Sequence, residues 1–327
     1  MKHGEKMSLQ SKSCSIGIDI GGTKICAGIV DEDKKIIARV TFPTEAKQGP
    51  DIVTEHIIAQ VKDLIAQSSL SSENIQSIGC CIPGTVDPDT GFVELAPNIG
   101  WVNYEFGRTF AQAFQGISLR YEQDTKAAAY GEFLLLNDKS IRSLFYITIS
   151  TGIGAGIVID GKIVRGFHFA AGEIGHCAID RKGAHCTCGN DGCLQAYSRG
   201  PAIVETVKKA MRHGAPSILT SKKPLDLIDA MDVTNAALEG DALCRDTLEK
   251  AADDVGYALS WAVNILDPDI IIVGGGIAKS GSFFFQHLEK ATRKYSYPSL
   301  RDTPIQVSNH WEASNVIGVA ALSCICE

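Results

Sequence analysis

The chain has 327 residues, 45% of them apolar and 21% charged, with a formal net charge of −7. That length suits about two domains of ordinary globular composition. The acidic balance and the lack of any Lys/Arg run disfavour a nucleic-acid partner, and no apolar stretch approaches the ~20 residues of a membrane helix.

The first fourteen residues are polar and lack the apolar core of a signal peptide. The eleven cysteines are odd in number and irregularly spaced, including adjacent Cys80 and Cys81 and the terminal Cys324 and Cys326. That usage suits a reducing compartment rather than a secreted disulfide framework, so a cytoplasmic protein is expected.

Chain order then brings an apolar run from Ser15, a turn of Gly21, Gly22, Thr23 and Lys24, and a second apolar run to Asp31. The glycines would let backbone N–H groups approach phosphate oxygens, Thr23 adds a hydroxyl, and Asp19 is placed to hold Mg²⁺ through water. A Gly-Gly turn is also common hairpin punctuation. Apolar residues at Ile52, Val53, Ile57, Ile58, Val61, Leu64 and Ile65 predict an amphipathic helix over 51–67. A short buried strand is predicted over 74–81. Asp124 sits at a predicted strand end before an alanine-rich helix over 126–136. Alone it reads as a helix N-cap; beside phosphate-binding turns it suits a general base for a hydroxyl nucleophile.

The opening pattern returns from Ser143 to Asp160, where Gly156-Ile157-Val158 repeats Gly28-Ile29-Val30 and Thr151 falls on Thr23. Thr151, Gly152 and Gly154 form the second glycine-rich turn. A hairpin strand follows it, not the helix that a dinucleotide fingerprint requires, so two hairpins clasping one set of phosphates is the better account. The duplication predicts two similar α/β domains.

Next come Glu173 and His176, then Cys186, Cys188 and Cys193, with Gly183, Gly189 and Gly192 between them. One imidazole and three thiols in so short a span suit tetrahedral Zn²⁺. All four positions are then filled by protein, so the metal should be structural. Helices are predicted over 202–211, 242–266, 283–294 and 314–324. A buried strand over 270–273 ends at Gly274, Gly275 and Gly276, where an adenine or ribose could pack.

Taken in order, Asp19 to Lys24, Pro83 to Asp87, Ala96-Pro97-Asn98, Glu122 to Asp124, Thr151 to Gly156, Gly172 to His176 with the three cysteines, and Gly274 to Gly276 resemble the ROK sugar kinases. The resemblance runs from about residue 15 to the C-terminus, and the Gly-Glu-Ile-Gly-His segment joined to the cysteines is its most specific part. It implies a two-domain actin/hexokinase-like (ribonuclease H-like) α/β ATPase fold with an interdomain cleft. The expected division is a smaller domain over 1–122, completed by a C-terminal helix at about 312–327, and a larger one over 123–311 carrying the zinc segment.

The resemblance also implies roles. Asp124 would take the proton from the sugar 6-hydroxyl; Glu173, His176, Asn98 and Gly84 would contact the sugar; and the two hairpins would clasp ATP. A homo-oligomer, dimer or tetramer, is implied as well. Gln123 stands where Asn is usual, Lys126 where Asn is common, Gln195 where Glu is usual, and Phe169 where a small residue is frequent. Gln123 and Gln195 would contact the sugar, Gln123 with a side chain one methylene longer and Gln195 with a polar contact that lacks the negative charge, so the departures bear on specificity. The expected activity is ATP-dependent phosphorylation of a hexose, with glucose leading. Mannose or an N-acetylhexosamine is the alternative substrate, and a silent sugar-binding or regulatory protein the alternative function.

Overall fold

The computed structural model describes residues 13–310 and 313–325. The polar stretch through residue 12, and residues 312, 326 and 327 of the expected C-terminal segment, lie outside the described residues. The chain divides into two compact units: one of residues up to Lys139, Gly156–Ala171 and from His310 on, and one of Ser140–Ala155 and Gly172–Asn309.

In the first unit β1 (Cys14–Ile20), β2 (Lys24–Asp31) and β3 (Ile36–Pro43) form an antiparallel meander. Ile16, Ile18 and Ile20 are fully buried on one face of β1. The other face is buried too, because a Cβ on Gly17 would lie 1.9 Å from the Val316 carbonyl oxygen. After α1 (Pro50–Gln67), β4 (Ile75–Ile82) pairs parallel to β1; a parallel pair needs a crossover of this kind. Pro50 opens the helix, where its missing N–H leaves nothing unpaired. The short β5 (Thr85–Val86), β6 (Val93–Ala96) and β7 (Trp101–Tyr104) make a separate three-stranded sheet, followed by α2 (Phe106–Ala113). Then β8 (Ser118–Gln123) joins β4 in parallel and runs into α3 (Asp124–Leu136). Strand order is β3-β2-β1-β4-β8.

The second sheet repeats that order. It comprises β9 (Leu144–Ile149), β10 (Ile153–Ile159) and β11 (Lys162–Ile163). Asp160 (φ 51°) and Gly161 (φ 73°) form the tight turn between β10 and β11, both left-handed as a two-residue hairpin requires. The helices are α4 (Gln195–Ser198), α5 (Gly200–Arg212), α6 (Leu219–Lys222), α7 (Ala230–Leu238) and α8 (Ala242–Leu266). After these come β12 (Ile270–Gly274), α9 (Ser282–Tyr295) and β13 (Ile305–Val307), giving the order β11-β10-β9-β12-β13. The last helix, α10 (Ser314–Ser323), belongs to the first unit.

The expected break at 122/123 differs from this grouping. α3 stays with the first unit because it packs closely on α10: a Cβ on Gly318 would sit 1.9 Å from the Ala127 carbonyl oxygen, and one on Gly131 2.0 Å from that of Ser314. The second half of β10 follows α3, since a Cβ on Gly156 would lie only 2.4 Å from the Thr125 carbonyl oxygen. Neither α2, α7 nor the β5–β7 sheet was expected.

Candidate active site

β1, β4 and β8 run parallel and end along one edge of the first sheet, with Asp19 paired to Cys81 and Cys81 to Glu122. Ligands of open α/β sheets gather at such strand ends. Asp19 accepts from Asn315 Nδ2 (3.0 Å) and from the Cys81 thiol (3.4 Å). Its enclosed position pushes the carboxyl above the ordinary aspartate value, against the pull of both hydrogen bonds and of Lys24. Cys81 is pushed well up, by burial first and then by the charges of Asp19 and Asp124, so it stays a thiol that can donate.

The following turn is held from behind. Gly21 N–H donates to Lys24 O (3.0 Å), Thr44 Oγ1 donates to Gly21 O (2.6 Å), and Thr44 N–H donates to Thr23 O (3.1 Å). Gly22, Thr23 and Lys24 remain exposed. A Cβ on Gly22 would lie 3.2 Å from Asn98 O, and one on Gly84 would lie 2.1 Å from Leu95 O. Asn98 thus borders the Gly21–Lys24 turn, and Gly84 packs on the Leu95–Ala96 backbone just before it in the chain. Asp124 is the first residue of α3, and the N-cap position is Gln123, which makes no side-chain cap. Asp124 Oδ1 accepts from Thr125 N–H (2.8 Å). A carboxylate in a first helical turn is favoured by the helix dipole.

In the second unit the Thr151–Gly152 and Gly274–Gly276 turns come together. Gly274 pairs with Thr148, and Gly275 has φ 89° with its Cβ position 2.3 Å from Ile149 O, so no larger residue fits. Ser150, Thr151, Gly276 and Ile277 line one side of a cavity of about 520 Å³, and Val204 of α5 and Met231 of α7 line another. Gly154 lies within β10 beyond the turn.

The Gly172–His176 segment lies along the start of β10. Ala155 N–H donates to Gly172 O (2.9 Å). A Cβ would meet Ala155 O at 2.2 Å from Gly172 and Ile153 O at 2.1 Å from Gly175, which is why glycines flank Glu173. Beyond them the ligand atoms of His176, Cys186, Cys188 and Cys193 all lie within 4.8 Å of one another. Cys188 Sγ is 3.7 Å from Cys193 Sγ, and Cys186 Sγ is 3.8 Å from His176 Nδ1. A tetrahedron with metal–sulfur bonds of about 2.3 Å has edges of about 3.8 Å, so the donor set fits Zn²⁺. Although burial opposes it, Cys186 is drawn down to about 6 by the Cys188 backbone N–H and the Gln195 amide, while burial pushes Cys193 up to about 12.

Gln195 is buried, and its Nε2 donates to Cys186 Sγ (3.5 Å). Its Oε1 lies 3.7 Å from the Gly152 Cβ position, so the amide bridges the cysteine cluster and the glycine turn. Sequence reasoning missed Cys81, Thr44 and Asn315 as partners of Asp19 and its turn. No local signal marks them, and Asn315 is 296 residues from Asp19. Among the described residues no helix is long and apolar enough to cross a membrane.

Two sheets of one strand order, each opening on a hairpin with a glycine-bearing turn, define a two-domain α/β protein of the actin/hexokinase-like class. The family model described as the ROK family matches residues 15–324. The glucokinase of Streptomyces coelicolor is 31% identical over 285 residues, which are 86% of this chain and 87% of that protein. The xylose repressor of Caldicellulosiruptor bescii is 28% identical over 312 residues, 94% of this chain and 77% of the repressor. A crystal structure of a ROK family glucokinase from Streptomyces griseus, in complex with glucose and AMPPNP, superposes with a TM-score of 0.80 at 28% identity, covering 95% of this chain and 99% of that one. The chain belongs to the ROK family.

Proposed function

We propose that this protein is an ATP-dependent hexose kinase, with glucose its first substrate and mannose or an N-acetylhexosamine the alternatives. The observation that carries the reading is the position of Asp124, first residue of α3 at the end of β8, on the sheet edge that also carries Asp19 and the exposed Gly22–Lys24 turn. The glucokinase relatives support the same reaction class.

Asp124 accepts the proton as the sugar hydroxyl oxygen forms its bond to the γ-phosphorus of ATP and the bond to the ADP oxygen breaks. Gly84, Asn98, Gln123, Glu173, His176 and Gln195 hold the sugar. The exposed Gly22–Lys24 backbone, in the turn that Gly21 closes, and the Thr151–Gly152 turn, with Gly154 just beyond it, hold the phosphates. The cavity beside Gly274, Gly275 and Gly276 takes the adenosine. Mg²⁺ carried with the nucleotide would neutralise phosphate charge, and Asp19 is the residue that would hold it through water. His176, Cys186, Cys188 and Cys193 would hold a structural Zn²⁺. The protein's part is positioning and charge placement rather than covalent chemistry.

An ADP-release assay across glucose, mannose, N-acetylglucosamine and N-acetylmannosamine tests the reading, with glucose expected to give the highest kcat/KM. The xylose repressor relative favours a second reading, a sugar-responsive regulator. Sugar binding with no ADP release from any member of the panel would move the protein to that class.

A further inference from the structure

We infer that Asn315, in the first turn of α10, is a positioning residue for Asp19. It holds one oxygen of that carboxylate and leaves the other for the hydrated Mg²⁺ of the nucleotide. The inference rests on the kinase reading, in which Asp19 serves the metal through water.

Asn315 Nδ2 donates to Asp19 Oδ1 (3.0 Å), and the Cys81 thiol donates to the same oxygen (3.4 Å). An ionised carboxylate only accepts, so the Asn315 amide must turn its N–H₂ and not its oxygen toward Asp19. Both protein donors fall on Oδ1, and among the described residues no hydrogen bond reaches Oδ2. Asp19 is therefore fixed through one oxygen and keeps the other for a ligand's water. A hard carboxylate oxygen at a strand end, followed by the exposed Gly22–Lys24 backbone, is the donor chemistry that a hydrated Mg²⁺ beside phosphate takes.

The seating of α10 is what brings Asn315 to this place. Gly17 and Asp19 lie two residues apart on β1 and so share one face of the strand. A Cβ on Gly17 would meet Val316 O at 1.9 Å, and one on Gly79 of β4 would meet Val319 O at 2.1 Å. Helix and strands thus touch backbone to backbone, and α10 cannot slide along the sheet without a clash. On its other side Ser314 Oγ donates to Glu132 Oε1 of α3. Neighbouring residues therefore divide the work: Ser314 fastens the helix to α3, Asn315 holds Asp19, and Val316 rests on β1. The first turn of α10 in this way sets Asp19 against α3, the helix that opens with Asp124. Ser314 and Val316 are buried while Asn315 is half-buried, so a substitution there reaches the carboxylate more than the core.

The test measures ADP binding by the full chain in calorimetry, with Mg²⁺ and in Mg²⁺-free buffer, for the wild type, Asn315→Ala and Asn315→Leu. Neither replacement can donate; Ala suits a helix, and Leu fills the space of the amide. Mg²⁺ is expected to tighten ADP binding by the wild type and to do so about tenfold less in both variants, the low end of what loss of an outer partner costs a metal. ADP affinity without Mg²⁺ and sugar affinity should stay at their wild-type values. A full Mg²⁺ response in the variants overturns the inference, whatever happens to their melting temperatures. Equal losses with and without Mg²⁺ overturn it too, since Asn315 would then bear on the nucleotide itself. Asn315→Leu decides the matter if Asn315→Ala does not fold, and failure of both to fold overturns the inference in favour of a purely structural role. Wild-type protein that binds ADP with Mg²⁺ but phosphorylates no hexose overturns the kinase reading instead, while the binding comparison still decides the role of Asn315. Wild-type protein that binds no ADP, or binds it without regard to Mg²⁺, overturns both.

Discussion

The His176 ring is shared between two partners: Nδ1 lies 3.8 Å from Sγ of Cys186, and Nε2 lies 3.9 Å from Oε2 of Glu173. One ring nitrogen thus faces the sulfur cluster and the other a carboxylate. That is the arrangement in which an outer carboxylate orients a metal-bound imidazole. Glu173 is in turn fixed by the glycine contacts of its segment to β10.

In the proposed reading, a metal held by His176, Cys186, Cys188 and Cys193 would brace the sugar contacts. Cys188→Ser removes an exposed ligand without disturbing the core. We expect it to lower metal affinity by more than the roughly 10–100-fold seen on losing an outer partner. The sugar KM should rise with it, or the 173–193 segment should unfold locally. Metal content measured beside sugar KM checks this, and wild-type values for both would remove the brace.

Asp124 carries the sharpest catalytic prediction. Asp124→Asn keeps the size of the side chain and removes the proton acceptor. We expect kcat to fall by about 10²–10⁴-fold, the usual contribution of a general base. Sugar affinity and far-UV circular dichroism should stay near wild type, because the lost charge–dipole interaction is worth only about 0.3–1 kcal/mol. Substantial residual kcat would take Asp124 out of the role of base.

The repeated hairpin was legible because it is local: strand, glycine turn and strand recur at one offset, and both sheets then add their remaining strands in the same order. The clustering of His176, Cys186, Cys188 and Cys193 was legible for the same reason. The β5–β7 sheet escaped because strands of two to four residues leave no period to read. α7 was missed although Asp229 and Asp232 form a reciprocal cap, a signal weaker in sequence because Asp stands where Glu or Gln is usual. The break expected at 122/123 failed to foresee that α3 stays with its own sheet, since close packing on α10 depends on residues nearly two hundred positions apart. Capping was the bland expectation for Asp124, yet the chain enters the helix one residue earlier, leaving that carboxylate inside the first turn.

The α3–α10 crossing gives a stability prediction. Gly131 and Gly318 let the two helices approach until backbone meets backbone, with Cβ positions 2.0 and 1.9 Å from carbonyl oxygens. A methyl group at either site cannot be absorbed by a rotamer change, so the helices must separate. Gly318→Ala should cost about 1–3 kcal/mol despite its better helix propensity. Urea denaturation checks the sign, and a stabilised variant would contradict the packing.

Asp241 gives the pH dependence. It is 5% exposed and caps α8, accepting from Cys244 N–H (2.8 Å) and from Ile218 N–H (2.7 Å). Burial opposes its charge, but these two donors and the Ser217 hydroxyl together outweigh that and hold the carboxyl below its ordinary value of 3.8. The folded state therefore binds the proton more weakly than the unfolded chain. The stabilisation is fully present above pH 4 or so and is lost as pH falls through the lowered folded value. Asp241→Ala should cost about 0.5–2 kcal/mol near neutral pH, as loss of a helix cap does. The gap between wild type and variant should then close as the pH is taken below about 4, because protonation removes from the wild type what the substitution has already removed. Urea midpoints compared from pH 7 down to pH 3 read this directly; a gap that widened on acidification would mean that Asp241 is held neutral, not charged, at the helix start.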